Sequence, residues 1–310
     1  MKQLILGTRG SKLALAQTKI VEAKLNFFFP NIIVKRKVIK TKGDKIINIP
    51  LTKINDKGFF VKEIQKELID KKIDVAVHSM KDLPVLFDKT KISAVLEREN
   101  ACDVLLSIKK KKLKDFNKNN TIATTSIRRK IQIKKLNKNV KIIDIRGNVD
   151  TRVKKMINGD CDGLLLAYAG VKRLGLEKYI VEYLNVNDFI PAPSQGVIAL
   201  EINKDCSNID KILAKINHQQ SMICVTAEKS FLKNINGGCH LPFACYANII
   251  NNKLHIQGIV SSVNTNKFVK KKISGSINSS EFLGKKLALE IINSGGREII
   301  NEVKSKVYHE

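Results

Sequence analysis

The sequence predicts an α/β protein: two doubly wound domains followed by a small α+β C-terminal domain. Three observations predict it. Strand, short polar turn and helix alternate from the start of the chain to about residue 200, hydroxyl and arginine side chains gather at the strand ends, and the texture changes after about residue 215. With 310 residues, 43% hydrophobic and 27% charged, the chain holds apolar material for more than one core.

The elements follow in order. QLILGTR reads as a strand, and Ser11 is placed to cap the helix LALAQTKIVEAKL behind it. Phe60, Ile64 and Leu68 recur at helical spacing ahead of a buried strand, IDVAVHS. The next units are TIATTS with a helix from Ile127, KIIDIRG with a helix from Val149, and DGLLLAYAG with VKRLGL. Such alternation predicts parallel sheets wound by helices, with ligands at the carboxyl ends of the strands. Then a helix, SMICVTAEKSFLKNI, leads to a Gly-Gly-Cys loop. FACYANII and KLHIQGIVSSV read as antiparallel strands about an Asn-Asn turn, with a third strand at FVKKKISG and a last helix from Glu281. The expected domains are 1–97 with 197–214, then 102–190, then 218–310.

Composition narrows the function. The first apolar run, before Gly7 and Arg9, is too short for a signal-peptide core, and nowhere do about eighteen apolar residues run together. A soluble, cytoplasmic protein with no membrane partner is expected. Its six cysteines stand without a CxxC pair, so neither disulfides nor a metal site is expected. The formal charge of +27 invites nucleic acid, but the lysines are spread through every segment and lack interleaved aromatics. A lysine-biased composition accounts for the charge, and no nucleic-acid partner is expected.

That bias makes arginine informative. Nine arginines stand against 47 lysines, and five of the nine are Arg128, Arg129, Arg146, Arg152 and Arg173. A position that keeps arginine calls for a planar, bidentate donor. TTSIRR sets Thr124, Thr125, Ser126, Arg128 and Arg129 at a predicted helix start, where free N–H groups and the positive dipole end favour an anion. RGNVDTR does the same with Arg146, Asn148 and Arg152, and GTRGS with Arg9 and Ser11. One such end is ordinary capping; three together imply a polyanionic ligand, carboxylate or phosphate.

Further groups sit on loops. HSMKDLP places His78, Lys81 and Asp82 in the turn after a buried strand, and Pro84 favours a fixed, partly buried Asp82. PLTKINDKGFF offers Lys53 and Lys57 as a cationic lid or as a plain solvated loop. In INGGCHLP, Gly237 and Gly238 put Cys239 on a tight loop, as a modified thiol or as one more small apolar residue near a strand.

Taken together these stretches resemble the porphobilinogen deaminase family. GTRGSKLALAQ, KGFFVKE, VHSMKDLP, TTSIRR, IRGNVDTR, LAYAGVKRLGL, PAPSQG and INGGCHLP occur in the family's order over nearly the whole chain. The resemblance implies two wound domains like those of periplasmic anion-binding proteins. It implies a transferase, hydroxymethylbilane synthase, which deaminates four porphobilinogens, joins them head to tail on a dipyrromethane cofactor and releases the linear tetrapyrrole by hydrolysis, for haem biosynthesis. By the same resemblance Cys239 carries the cofactor through a thioether and Asp82 is the catalytic carboxylate. Lys81, Asp82, Thr124, Ser126, Arg128 and Arg129 would hold the cofactor. Arg9, Ser11, Lys53, Lys57, Arg146, Arg152 and Arg173 would hold substrate and growing chain, and Ser79 and Thr125 complete the set. A monomer with a small-molecule substrate is expected.

Departures from the family pattern are Ala123 for glycine, Asn55 and Asp56 for a glycine pair, and Lys229 for arginine. None removes a catalytic group; they bear on loop stiffness and on an ion pair. Two other readings stand beside the resemblance. An anion-binding receptor leaves the Gly-Gly-Cys loop unexplained, and a thiol hydrolase needs a histidine aimed at Cys239, whereas His240 on an extended backbone points elsewhere.

Overall fold

A computed structural model describes residues 2–41, 61–85, 87–235, 242–263 and 267–309. The chain first lays down β1 (Gln3–Arg9), α1 (Lys12–Phe28), β2 (Ile33–Ile39), α2 (Lys62–Ile69), β3 (Val75–Ser79) and β4 (Thr90–Val95). There follow β5 (Asp103–Leu106), β6 (Thr121–Ala123), α3 (Ile127–Leu136), β7 (Lys141–Ile143), α4 (Val149–Ile157), β8 (Gly163–Ala167), α5 (Tyr168–Arg173) and β9 (Ile180–Tyr183). Next come β10 (Ile198–Asn203) and α6 (Ser207–Ala214). The last part holds α7 (Gln219–Asn234), β11 (Phe243–Ile250), β12 (Lys253–Ser261), β13 (Phe268–Ser276), α8 (Ser280–Ile291) and α9 (Arg297–His309). Two compact units result, Met1–Glu99 with Gly196–Met222 and Asn100–Gln195 with Ile223–Glu310. No helix among the described residues is long and apolar enough to cross a membrane.

In the first unit the strand order is β2-β1-β3-β10-β4. Helix α1 starts where Ser11 accepts from the Ala14 N–H and ends at Phe29, ahead of Pro30. Its buried face, Ala14, Gln17, Thr18, Val21 and Leu25, follows the helical period. Val21 and Leu25 pack with Leu4, Leu6, Val75, Val77 and Leu200 on one side of the sheet. Ile64 and Leu68 of α2 pack with Ile39, Ile73 and Ala76 in a second core. Helices therefore cover both faces, as a wound sheet requires.

The second unit repeats the plan, with order β7-β6-β8-β5-β9. Along β5, Val104 and Leu106 join one core while Leu105 joins another, the alternation that the pleat imposes. Both wound sheets are mixed, whereas the sequence pattern predicts parallel ones. β10 runs antiparallel to β3 and β4, and β5 antiparallel to β8 and β9. Each of these strands is the first that the chain forms after passing from one unit to the other. Such a strand arrives without a crossover helix in its own sheet, so nothing obliges it to run parallel.

The C-terminal part of the second unit is a meander, β11-β12-β13. Asn251 and Asn252, with φ of 48° and 58°, form its first turn, which suits asparagine and the twist of a hairpin. Phe231 of α7 and Leu283, Leu287 and Ile291 of α8 cover Leu254 and Ile256. The predicted last helix is two helices, because Gly295 takes a φ of 94° between them. Buried Glu228 on α7 accepts from Ser194 N at 2.5 Å and from Ala247 N at 2.6 Å, tying the helix to β11 and to the segment before the return crossing. Helices α7 and α8 touch at Gly284, where an added Cβ would lie 2.1 Å from the Ala227 carbonyl oxygen. Gly284→Ala is expected to destabilise the second unit by about 1–3 kcal/mol or more, read as a lowered urea midpoint.

Candidate active site

The first unit brings its predicted residues to the carboxyl ends of β1 and β3. Arg9 ends β1 and is half-buried; Ser11 follows, its oxygen engaged in capping α1. Ser79 ends β3 and accepts a 2.8 Å hydrogen bond from Gln17, which is 3% exposed and ties α1 to this strand end. Met80–Asp82 then form one 3-10 turn. Met80 and Leu83, three residues apart, fall on the same side of such a turn and are buried. Lys81 is consequently half-buried and Asp82 exposed, where the sequence favours a partly buried Asp82.

Behind this turn lies a polar cluster of four residues, of which the sequence singles out only His78. His78 Nε2 stands 3.0 Å from Glu201 Oε2, both groups buried. Glu201 Oε1 accepts from Gln65 at 2.7 Å and from Thr90 at 2.5 Å. Glu201 pairs with Ala76 across the sheet, which makes His78 its diagonal neighbour on the same face. The signal for Glu201 is an acid inside an apolar strand, IALEIN, whose side chain must find donors.

In the second unit, Thr124, Thr125 and Ser126 follow β6, and Ser126 caps α3 by accepting from Arg129 N at 3.4 Å. Thr124 is buried, and Thr125 and Ser126 are half-buried. Gly147, at φ 113°, turns the chain into α4, and Arg152 Nε donates to the Gly147 carbonyl at 2.6 Å. Arg146, Arg152 and Arg173 are half-buried, and Arg146 lines a cavity of about 300 Å³ with Asp144, Lys155 and Asp160.

Arg128 and Arg129 are not loose surface donors. Asp103, at the start of β5, accepts from Arg128 Nη2 at 2.7 Å through Oδ2 and from Arg129 Nε and Nη2 at 3.0 and 2.7 Å through Oδ1. Arg128 Nη1 donates to Ile190 O at 2.7 Å, and Arg129 Nη1 to Leu165 O at 3.1 Å. Gln195 Nε2 adds a 3.0 Å bond to Asp103 Oδ1 and a 2.7 Å bond to Ala101 O. Burial by itself raises the Asp103 pKa, but the charges and hydrogen bonds of the two guanidiniums outweigh it and hold the carboxyl at about 2. Burial is the larger influence on Arg128 and, with the like charge of Arg129, lowers its pKa, against the opposing pull of Asp103. The opposite balances have one cause: two cations share one anion. Asp103 is a second residue that the motif reading misses, although an acid heading the apolar strand DVLL signals a buried partner.

Lys53, Lys57, Asn55, Asp56 and Cys239 lie outside the described residues.

Two wound units, each setting arginine and hydroxyl side chains near the carboxyl ends of its own sheet, define a class of α/β protein whose strand ends favour anions. Residues 4–211 match the family model described as porphobilinogen deaminase, dipyromethane cofactor binding domain, and residues 222–293 that of the family's C-terminal domain. Over 98% of its length the chain is 46% identical to a porphobilinogen deaminase of Syntrophomonas wolfei, covering all of that protein. Over 98% of both chains it is 42% identical to the porphobilinogen deaminase of Carboxydothermus hydrogenoformans. Among solved structures, 75% of the chain is similar to 70% of the periplasmic aliphatic sulphonate binding protein SsuA of Escherichia coli, at 10% identity and a TM-score of 0.42. The chain belongs to the porphobilinogen deaminase family, a family of transferases.

The native Asp103 carboxyl gives up its proton at lower pH than it would in an unfolded chain, where the ordinary value is 3.8. Its contribution to stability is therefore complete above that value and is lost as pH falls toward about 2. Asp103→Asn is expected to cost about 3 kcal/mol or more at neutral pH. Urea titrations at several pH values should show that difference from wild type narrowing below about pH 4.

Proposed function

We propose that the chain is a hydroxymethylbilane synthase, a cytoplasmic monomer that deaminates four porphobilinogens, links them head to tail on a covalent dipyrromethane cofactor, and releases the linear tetrapyrrole by hydrolysis. The observation that carries this reading is the match of both family domains over nearly the whole chain, together with the arginine-rich strand ends. The donor set fits the cofactor. A dipyrromethane built from porphobilinogen bears acetate and propionate groups, and Arg128 and Arg129, which among the described residues share the single carboxylate of Asp103, offer a fixed cationic fork to such groups. Cys239 supplies the thioether anchor, and Lys81, Thr124 and Ser126 join the two arginines in holding the cofactor. When bound, the cofactor supplies the free pyrrole carbon to which the first substrate is joined.

The chain's own residues do the rest. Arg9, Arg146, Arg152 and Arg173, with Ser11, Lys53 and Lys57, orient the acid side chains of porphobilinogen and of the growing chain. Asp82 lies on a turn whose anchors, Met80 and Leu83, are buried, so its carboxylate is held while remaining open to a ligand. There it moves a proton at the substrate's aminomethyl nitrogen as ammonia leaves, and it stabilises the azafulvenium charge that develops on the pyrrole. That charge is absent from the ground state, so the interaction lowers the barrier instead of tightening binding.

Intact mass with peptide mapping tests the reading: wild type should carry two linked pyrroles on the peptide around Cys239. Cys239→Ala should lack them and make no bilane, while Cys245→Ala stays active; an active Cys239→Ala protein would refute the anchor. Asp82→Asn should keep the adduct and lose about a hundredfold or more in kcat. Turnover near that of wild type would remove Asp82 from its role.

A further inference from the structure

Arg128 and Arg129 are 6% and 7% exposed, and Asp103 is fully buried. Among the described residues, two guanidiniums and one carboxylate thus stand away from water with one positive charge in excess, a costly state unless another anion completes it. The hydrogen bonds to Asp103, Ile190 O and Leu165 O engage two of the five N–H groups of Arg128 and three of those of Arg129. They leave further donors on guanidinium planes whose direction is already fixed.

We propose that Asp103 is a positioning residue for the carboxylate-binding site: it holds both guanidiniums in one orientation and leaves the trio a single excess charge, matched to one ligand carboxylate. The inference rests on the reading of Arg128 and Arg129 as cofactor-binding residues. Without the Asp103 charge the pair would carry two uncompensated charges, and a guanidinium would turn toward water and abandon the bidentate geometry. Asp103 itself is fixed by Gln195, whose amide bridges Oδ1 and the Ala101 carbonyl. The buried charge and the aim of the fork therefore both depend on this one carboxylate.

The test follows cofactor acquisition rather than turnover. Protein produced without a supply of porphobilinogen is incubated with porphobilinogen, and the gain of two linked pyrroles is timed by intact mass, with circular dichroism as the check on folding. Wild type should gain the mass. Asp103→Asn, at a temperature where it is folded, should gain it about tenfold more slowly or worse, and Gln195→Ala a few-fold more slowly. Asp103→Glu, which restores the charge on a side chain one methylene longer, should recover part of the rate. A folded Asp103→Asn protein that gains mass at the wild-type rate overturns the proposal. Should Asp103→Asn fail to fold, Asp103→Glu decides: native dichroism with slowed gain supports positioning, and the wild-type rate overturns it. Wild type that gains no mass removes the cofactor reading and this inference together, whereas equal gain in wild type and Asp103→Asn removes the inference alone.

Discussion

A carboxylate taken out of water must be met by opposite charge, and Asp103 is met by two guanidiniums at once. Around that requirement the second unit is arranged. The acid heads β5, the arginines occupy the first turn of α3, and the remaining arginine donors reach Leu165 on β8 and Ile190 ahead of the return crossing. Gln195 closes the set, so the segment that opens this stretch of the second unit and the segment that closes it bear on one buried ionic centre inside that unit. The energy of such a centre resides less in the ion pairs themselves than in the cost of leaving any member unpaired.

The same passage shapes the sheets. Each wound sheet has three parallel strands, then an antiparallel fourth, then a fifth that again runs with the first three. The fourth strand is β10 in one unit and β5 in the other, each formed straight after a crossing. Gly196 stands at the return. Its φ of 92°, with space for no Cβ beside the Glu99 carbonyl, explains why PAPSQG ends in glycine. The side chains singled out from the sequence then fall at strand ends in both units, where helix starts and open backbone groups favour anions.

Legibility followed the range of the forces. The cap at Ser11, the Asn251-Asn252 turn and the helical face ending in Ile64 and Leu68 depend on neighbours within a few residues, and pattern reading finds them. The scarcity of arginine pointed to Arg128 and Arg129, because their chemistry limits what lysine can replace. Their partner escaped notice, since Asp103 lies 25 and 26 residues away and Gln195 92 residues from that acid. Glu201 escaped for the same reason, meeting Gln65 and Thr90 only through the sheet. Asp82 looked half-buried because a proline and an apolar strand flank it, but a 3-10 turn directs Met80 and Leu83 inward and leaves the acid outside.

By itself, then, the sequence determined the alternation of strand and helix, the wound architecture with its smaller C-terminal sheet, and the arginine and hydroxyl residues that stand at strand ends. These follow from local periodicity, capping and the fixed chemistry of each side chain. Only the tertiary structure decided that the fourth strand of each sheet runs backward, and that Arg128 and Arg129 are half neutralised from within. Both depend on which distant segments share a sheet or a buried charge, and long-range pairing of that kind leaves no periodic trace in the chain.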